Sequence, residues 1–178
     1  MKDRLIALLK ERSVRFGTFT LKSGKTSDLY VDARTTTFHA EGSVLIANLI
    51  LERLKPEVVA VGGPATGAIP MAGAVAALSF IRGRPVAGFM VRKEPKGHGT
   101  KQWLEGLAGL PAGAKICVVE DTVTTGGSLL KAIGHIEDAG FEVVQCICVV
   151  DRREGGVERF ASAGYTLEAL VGREDLVG

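Results

Sequence analysis

The sequence predicts an α/β fold, a mostly parallel twisted sheet flanked by helices, with a small N-terminal hood. Three observations predict it. The apolar run at 115–119 fits a strand buried on both faces, 58–61 reads as a buried strand, and 86–91 and 142–150 read as further strands. Segments with apolar residues at helical spacing alternate with those runs. Two of the strand-to-helix junctions, 62–67 and 122–128, are rich in glycine, threonine and serine.

Each element has its own warrant. Leu5, Ile6, Leu8 and Leu9 give residues 2–12 the apolar face of a helix. Residues 18–25 read as a strand entering a Ser-Gly turn, and 27–32 as its hairpin partner. That hairpin is unlike the repeating units after it, so residues 1–38 are expected to form the hood. Val44, Leu45, Ile46, Leu49, Ile50, Leu51 and Leu54 mark a helix over 39–54, which Pro56 breaks. Strand 58–61 leads through Gly62, Gly63, Pro64, Ala65, Thr66 and Gly67 into a helix over 68–80. After strand 86–91, residues 92–114 show no clear periodicity. Loops beyond about 12–15 residues are uncommon in compact domains and are usually lids or binding loops. This one gathers Arg92, Lys93, Lys96, His98 and Lys101, with a glycine on each side of the histidine. A mobile cationic lid over about 92–110, closing on a polyanion, is therefore expected. The helix over 129–139 carries Leu129, Leu130, Ile133 and Ile136, and Gly140 stops it. Strand 142–150 ends at Asp151 and Arg152, a weakly signalled helix spans 159–163, and 165–171 is the last strand.

A chain of 178 residues is long enough to bury a core and fits one domain, 1–178. With 46% hydrophobic and 24% charged residues it reads as soluble and globular. A formal net charge of +2 gives no argument for nucleic acid or a membrane surface. No apolar run is long enough to span a bilayer, and the N-terminus lacks a signal-peptide core. Cys117, Cys146 and Cys148 all lie in apolar runs, which favours buried thiols over a metal site or disulfide and a reducing cytoplasm as the setting.

The chemistry concentrates after strand 115–119, where Glu120 and Asp121 precede Thr122, Val123, Thr124, Thr125, Gly126, Gly127 and Ser128. A loop entering a helix N-terminus offers unpaired N–H groups and the positive end of the helix dipole, which suits a phosphate. Gly126 and Gly127 allow close backbone approach, and Thr124, Thr125 and Ser128 add hydroxyl donors. Two carboxylates beside such a cradle must face something else: sugar hydroxyls, a metal's water shell or a developing cation. The combination points to a phosphorylated sugar. No Gly-Lys-Ser/Thr follows the glycines, and the dinucleotide fingerprint is absent.

This stretch resembles the ribose-phosphate signature of the type I phosphoribosyltransferases. The resemblance narrows to the orotate phosphoribosyltransferases over nearly the whole chain. Phe19 to Gly24 looks like their lysine segment, Gly63 to Pro70 their pyrophosphate-side loop, Arg92 to Gly99 their catalytic lid, and Asp151-Arg152 their orotate-binding strand end. Some members carry Tyr-Lys where this chain has Thr66-Gly67, so a lysine contact there does not carry over. The resemblance implies the type I phosphoribosyltransferase fold and transfer from phosphoribosyl pyrophosphate (PRPP) to orotate. It implies Lys96, His98 and Asp121 as catalytic, with Arg92, Lys93, Glu120 and residues 122–128 as further PRPP contacts. Lys22, Thr124 and Arg152 would address orotate. Mg²⁺ would be chelated by pyrophosphate and ribose oxygens, with no side chain assigned to hold it. A homodimer is implied, its lid acting in trans. A phosphoribosyltransferase for a purine base and a PRPP-sensing regulator stay open as alternatives.

Overall fold

A computed structural model describes residues 1–20, 26–96 and 102–177. Helix α1 (Lys2–Arg12) precedes an antiparallel hairpin of β1 (Val14–Thr20) and β2 (Thr26–Val31). Helices α2 (Arg34–Thr37) and α3 (Ala40–Arg53) lead into β3 (Ala60–Pro64), α4 (Ala68–Ile81) and β4 (Ala87–Lys96). Then follow β5 (Gln102–Glu105), β6 (Lys115–Val123), α5 (Gly127–Asp138), β7 (Glu142–Asp151), α6 (Gly156–Ser162), β8 (Leu167–Gly172) and α7 (Arg173–Val177). Six strands form one sheet in the order β5-β4-β3-β6-β7-β8. All its pairings are parallel except β4 with β5.

Successive side chains of β6 and β7 alternate between two cores, as the period of a strand requires. Cys117, Val119, Ile147 and Val149 pack with Leu5 and Leu9 of α1, Ile46 and Ile50 of α3, and Met71 and Val75 of α4. Ile116, Val118, Cys146 and Cys148 belong to the other core, with Leu129, Ile133 and Ile136 of α5 and Phe160 of α6. Burial on both faces is why residues 116–119 of β6 and 146–150 of β7 are unbroken apolar runs; each such large side chain contributes about 1.5–3 kcal/mol. The three cysteines are buried free thiols. Burial pushes the Cys146 thiol up to about 12, in keeping with its place in the second core. Among the described residues no helix is long and apolar enough to cross a membrane.

The structure departs from the sequence reading in several places, and β3 is one: it takes in Gly62, Gly63 and Pro64, expected in the loop, because they pair with Phe89, Met90 and Val91 of β4. The hairpin strand β1 starts at Val14, earlier than expected, because its partner runs to Val31 and the two ends pair. Helices α2 and α7 are too short to show a hydrophobic period. The patternless segment after β4 is partly regular: β4 continues to Lys96, and the four residues of β5 return beside it. Finally, β6 does not stop at Val119 but runs through both acids to Val123, held by pairing of Glu120 with Cys148 and Thr122 with Val150.

Helix α4 carries no charged residue from 68 to 81. Met71, Ala72 and Val75 are buried, whereas Ile69, Phe80 and Ile81 are exposed.

Candidate active site

Because β6 extends through Glu120 and Asp121, both carboxyls are carried on a strand inside the sheet and not on a loop. Glu120 is buried, and the Ser128 hydroxyl donates to its Oε2 at 3.2 Å. The Thr122 N–H donates to Asp121 Oδ1 at 2.8 Å. Burial first, and then the charge of Asp121, pushes the Glu120 carboxyl well above the ordinary range. Burial also raises Asp121, against the Thr122 amide and the Arg34 charge, which favour its ionised form. Two adjacent carboxyls held out of water in this way seek a cation, a proton or hydroxyl donors.

The loop after β3 presses against this pair. A Cβ on Gly67 would stand 2.6 Å from Asp121 Oδ1, so that carboxyl would have to shift, and 3.0 Å from Glu120 Oε1, a tight contact. Ala65 and Thr66 are joined by a cis peptide. The loop and the acids enclose a cavity of about 410 Å³ lined by Arg34, Ala65, Thr66, Gly67, Lys93, Glu120, Asp121, Thr122 and Ser128. Thr122 Oγ1 is buried with no hydrogen-bond partner among the described residues, an orphan that a ligand oxygen would satisfy.

The segment from Thr124 to Ser128 forms a turn into α5 and is anchored from below. Arg152 N–H donates to Val123 O at 3.0 Å. Gly126 has φ +74°, and a Cβ there would meet the Phe160 ring at 2.7 Å, so glycine is required twice over. Among the described residues, the N–H groups of Thr124, Thr125 and Gly126 donate no hydrogen bond to other protein groups. They lead into the N-terminus of a 12-residue helix, the arrangement that binds phosphate oxygens.

Residues 35–166 match the phosphoribosyl transferase domain. The chain belongs to this family. An orotate phosphoribosyltransferase of Thermosynechococcus vestitus is 44% identical over 176 residues, spanning 99% of this chain and 93% of that one. The crystal structure of Mycobacterium tuberculosis H37Rv orotate phosphoribosyltransferase with Fe(III) dicitrate superposes with a TM-score of 0.85 at 38% identity, over 99% of both chains. The same enzyme in complex with PRPP gives a TM-score of 0.80 at 35% identity, over 98% of each. The sheet and its flanking helices are the type I phosphoribosyltransferase fold.

In this phosphoribosyltransferase the residues singled out in the sequence fall into three groups. Lys93, Glu120, Asp121, Thr122 and Ser128 line one cavity. Val123, Thr124, Thr125, Gly126 and Gly127 continue from it as the turn into α5. The third group stands apart. Arg92 pairs with Glu105 of β5 at 3.1 Å, and Lys96 is exposed at the far end of β4. Arg152 is buried, with its guanidinium donating to Leu29 O and paired with Glu154, each at 2.9 Å. Its guanidinium therefore already engages protein groups at the end of β7. Lys22 and His98 lie outside the described residues.

Arg34 escaped the sequence reading. It lines the acid-walled cavity, and Asp32 orients its guanidinium through hydrogen bonds of 2.8 and 2.9 Å. The Asp-x-Arg spacing was visible, but only the short helix α2 brings it to the site.

Proposed function

We propose that this protein transfers the 5-phosphoribosyl group from PRPP to orotate, giving orotidine 5′-phosphate and pyrophosphate, a step of pyrimidine synthesis. The observation that carries the reading is the acid pair on β6, Glu120 buried and Asp121 half-buried, sharing its cavity with Lys93 and opening onto the turn over 124–127 that would take a phosphate. The orotate phosphoribosyltransferases to which the chain is similar over nearly its whole length support the choice of base.

The residues divide the work by charge. The 5′-phosphate takes the amides of Thr124 to Gly127 and the hydroxyls of Thr124 and Thr125, and that of Ser128 when it turns from Glu120 to the phosphate. Glu120 and Asp121 accept from the ribose hydroxyls and, ionised, stabilise the positive charge that grows on the ring as its bond to pyrophosphate breaks. Lys93, with Lys96 and His98, addresses the departing pyrophosphate, and Arg92 positions the strand that carries Lys93 and Lys96. Lys22, Thr124 and Arg152 hold orotate, Arg152 by exchanging Glu154 for the orotate carboxylate. Closure of the lid over 92–110 excludes water from the ring carbon.

Mg²⁺ fits this donor set. Glu120 and Asp121 offer hard carboxylate oxygens, and no cluster of three potential ligands occurs among the described residues, so substrate oxygens would complete the shell. When bound, the ion neutralises charge on the pyrophosphate. The protein acts as a cytoplasmic homodimer whose lid works in trans; the exposed apolar residues Ile69, Phe80 and Ile81 of the uncharged α4 offer a face for the second copy. The deciding experiment follows orotate absorbance with PRPP and Mg²⁺, with adenine and xanthine as parallel bases. Consumption of orotate is expected. Turnover of a purine alone, or of no base, overturns the reading.

A further inference from the structure

Trp103, the one tryptophan of the chain, lies on β5 between Gln102 and Leu104. Its indole lies flat on the imidazole of His135 from α5, with centroids 3.9 Å apart and planes inclined by 12°. Lys131, one helical turn earlier, holds its ammonium 5.9 Å from the indole centroid. His135 Nε2 is buried and has no hydrogen-bond partner among the described residues, so stacking and not a polar contact holds the ring. These side chains wall a cavity of about 250 Å³. It shares Ala65, Lys93 and Ser128 with the acid-lined cavity beside it.

The location of the stack gives it a mechanical role. Pairing between β4 and β5 joins Met90 to Glu105, Val91 to Leu104 and Lys96 to Gln102, and the register shifts between Val91 and Lys96. The ladder is irregular where Trp103 sits, so backbone pairing alone fixes the hairpin poorly against the rest of the protein. Helix α5 is the element whose first turn adjoins the phosphate turn and whose Ser128 reaches Glu120. Two residues beyond Trp103, Glu105 holds Arg92 at 3.1 Å. A continuous path therefore runs from the phosphate helix, through the His135–Trp103 stack and Glu105, to Arg92 and the neighbouring Lys93.

We propose that Trp103 and His135 are positioning residues: their stack holds the β4–β5 hairpin against α5 and so sets where Arg92 and Lys93 stand over the phosphate turn. The proposal rests on PRPP being the ligand of this site. It also makes Trp103 a built-in reporter, since the contact with imidazole alters indole emission and the chain has no second tryptophan to mask the change.

The test compares wild type, His135→Ala and His135→Phe, whose ring keeps a flat stacking surface. PRPP affinity is measured by calorimetry and by Trp103 emission, turnover with saturating PRPP by orotate absorbance, and folding by urea denaturation. In His135→Ala the Kd for PRPP should rise about 3- to 10-fold, the size that one aromatic stacking contact supports, with turnover at saturation within about twofold. Its ligand-free emission should differ from wild type, and His135→Phe should restore PRPP affinity. Wild-type affinity in His135→Ala overturns the proposal, as does a His135→Phe protein no better than His135→Ala. Wild type that binds PRPP and ignores orotate counts against the orotate reading and leaves the stack tested. Wild type that fails to bind PRPP removes the functional reading itself.

Discussion

Gly67→Ala is the substitution that tests the acid pair most directly. Gly67 lies in the right-handed region, at φ −60° and ψ −39°, so alanine meets no backbone objection. At this helix-capping position the exchange costs the fold about 1 kcal/mol or less. The added methyl, however, would stand 2.6 Å from Asp121 Oδ1 and 2.8 Å from its Cγ, where ordinary contact begins at 3.4 Å. The difference, 3.4 − 2.6, means that the carboxylate or the loop must give by about 0.8 Å. Displacing a reacting group by roughly 1 Å can cost on the order of 100-fold in rate. We expect kcat/KM for PRPP to fall about 10- to 100-fold, while thermal unfolding moves by no more than about 3 °C. Gly134→Ala is the control: its Cβ meets nothing within 4 Å on α5, and it should gain about 0.5–1 kcal/mol with activity unchanged. Wild-type kcat/KM in Gly67→Ala would refute the reasoning, because the acids would then not need the place in which the loop holds them.

Other predictions address the charges. The Glu120 pKa is raised in the folded chain, so ionising it costs stability progressively as pH rises through the carboxylate range toward its folded value. Glu120→Gln should therefore match wild type near about pH 4 and exceed it by about 1–2 kcal/mol at about pH 8, while losing turnover; urea titrations at both pH values check this. Equal stability at the higher pH would mean that the pair is relieved by something else. Lys96→Ala should lower turnover roughly 100-fold or more with little change in melting temperature, and unchanged turnover removes Lys96 from the mechanism. Asp121→Asn should weaken use of PRPP. Mixing it with Lys96→Ala should restore activity in heterodimers if the lid acts in trans, and no recovery counts against that arrangement.

Much of the architecture was legible because burial on two faces leaves a plain mark. The runs ending at Val119 and Val150 could hardly be anything but central strands, and the leucines and isoleucines of α1, α3 and α5 kept helical spacing. What escaped was short or defined by its neighbours. Strand β5 is four residues of edge, with no pattern of its own before β4 is placed beside it. Arg34 reaches the cavity only through the four-residue helix α2. The turn into α5 was readable because Gly126, with its left-handed φ, and the small polar residues around it are local signals of a strand-to-helix junction. The engagement of Arg152 by Leu29 and Glu154 was not, since Leu29 is 123 residues away in the chain.

The order of the sheet bears on solubility as well as on catalysis. Without β5, the apolar strand β4 with Phe89 and Val91 would present an open row of N–H and C=O groups, a template for adding foreign strands. Gln102 and Glu105 close that row with a short, polar rim. Shortening the hairpin to probe the lid would thus also unguard the sheet, and a truncated protein that clumps would be reporting strand addition between molecules, separately from any lost chemistry.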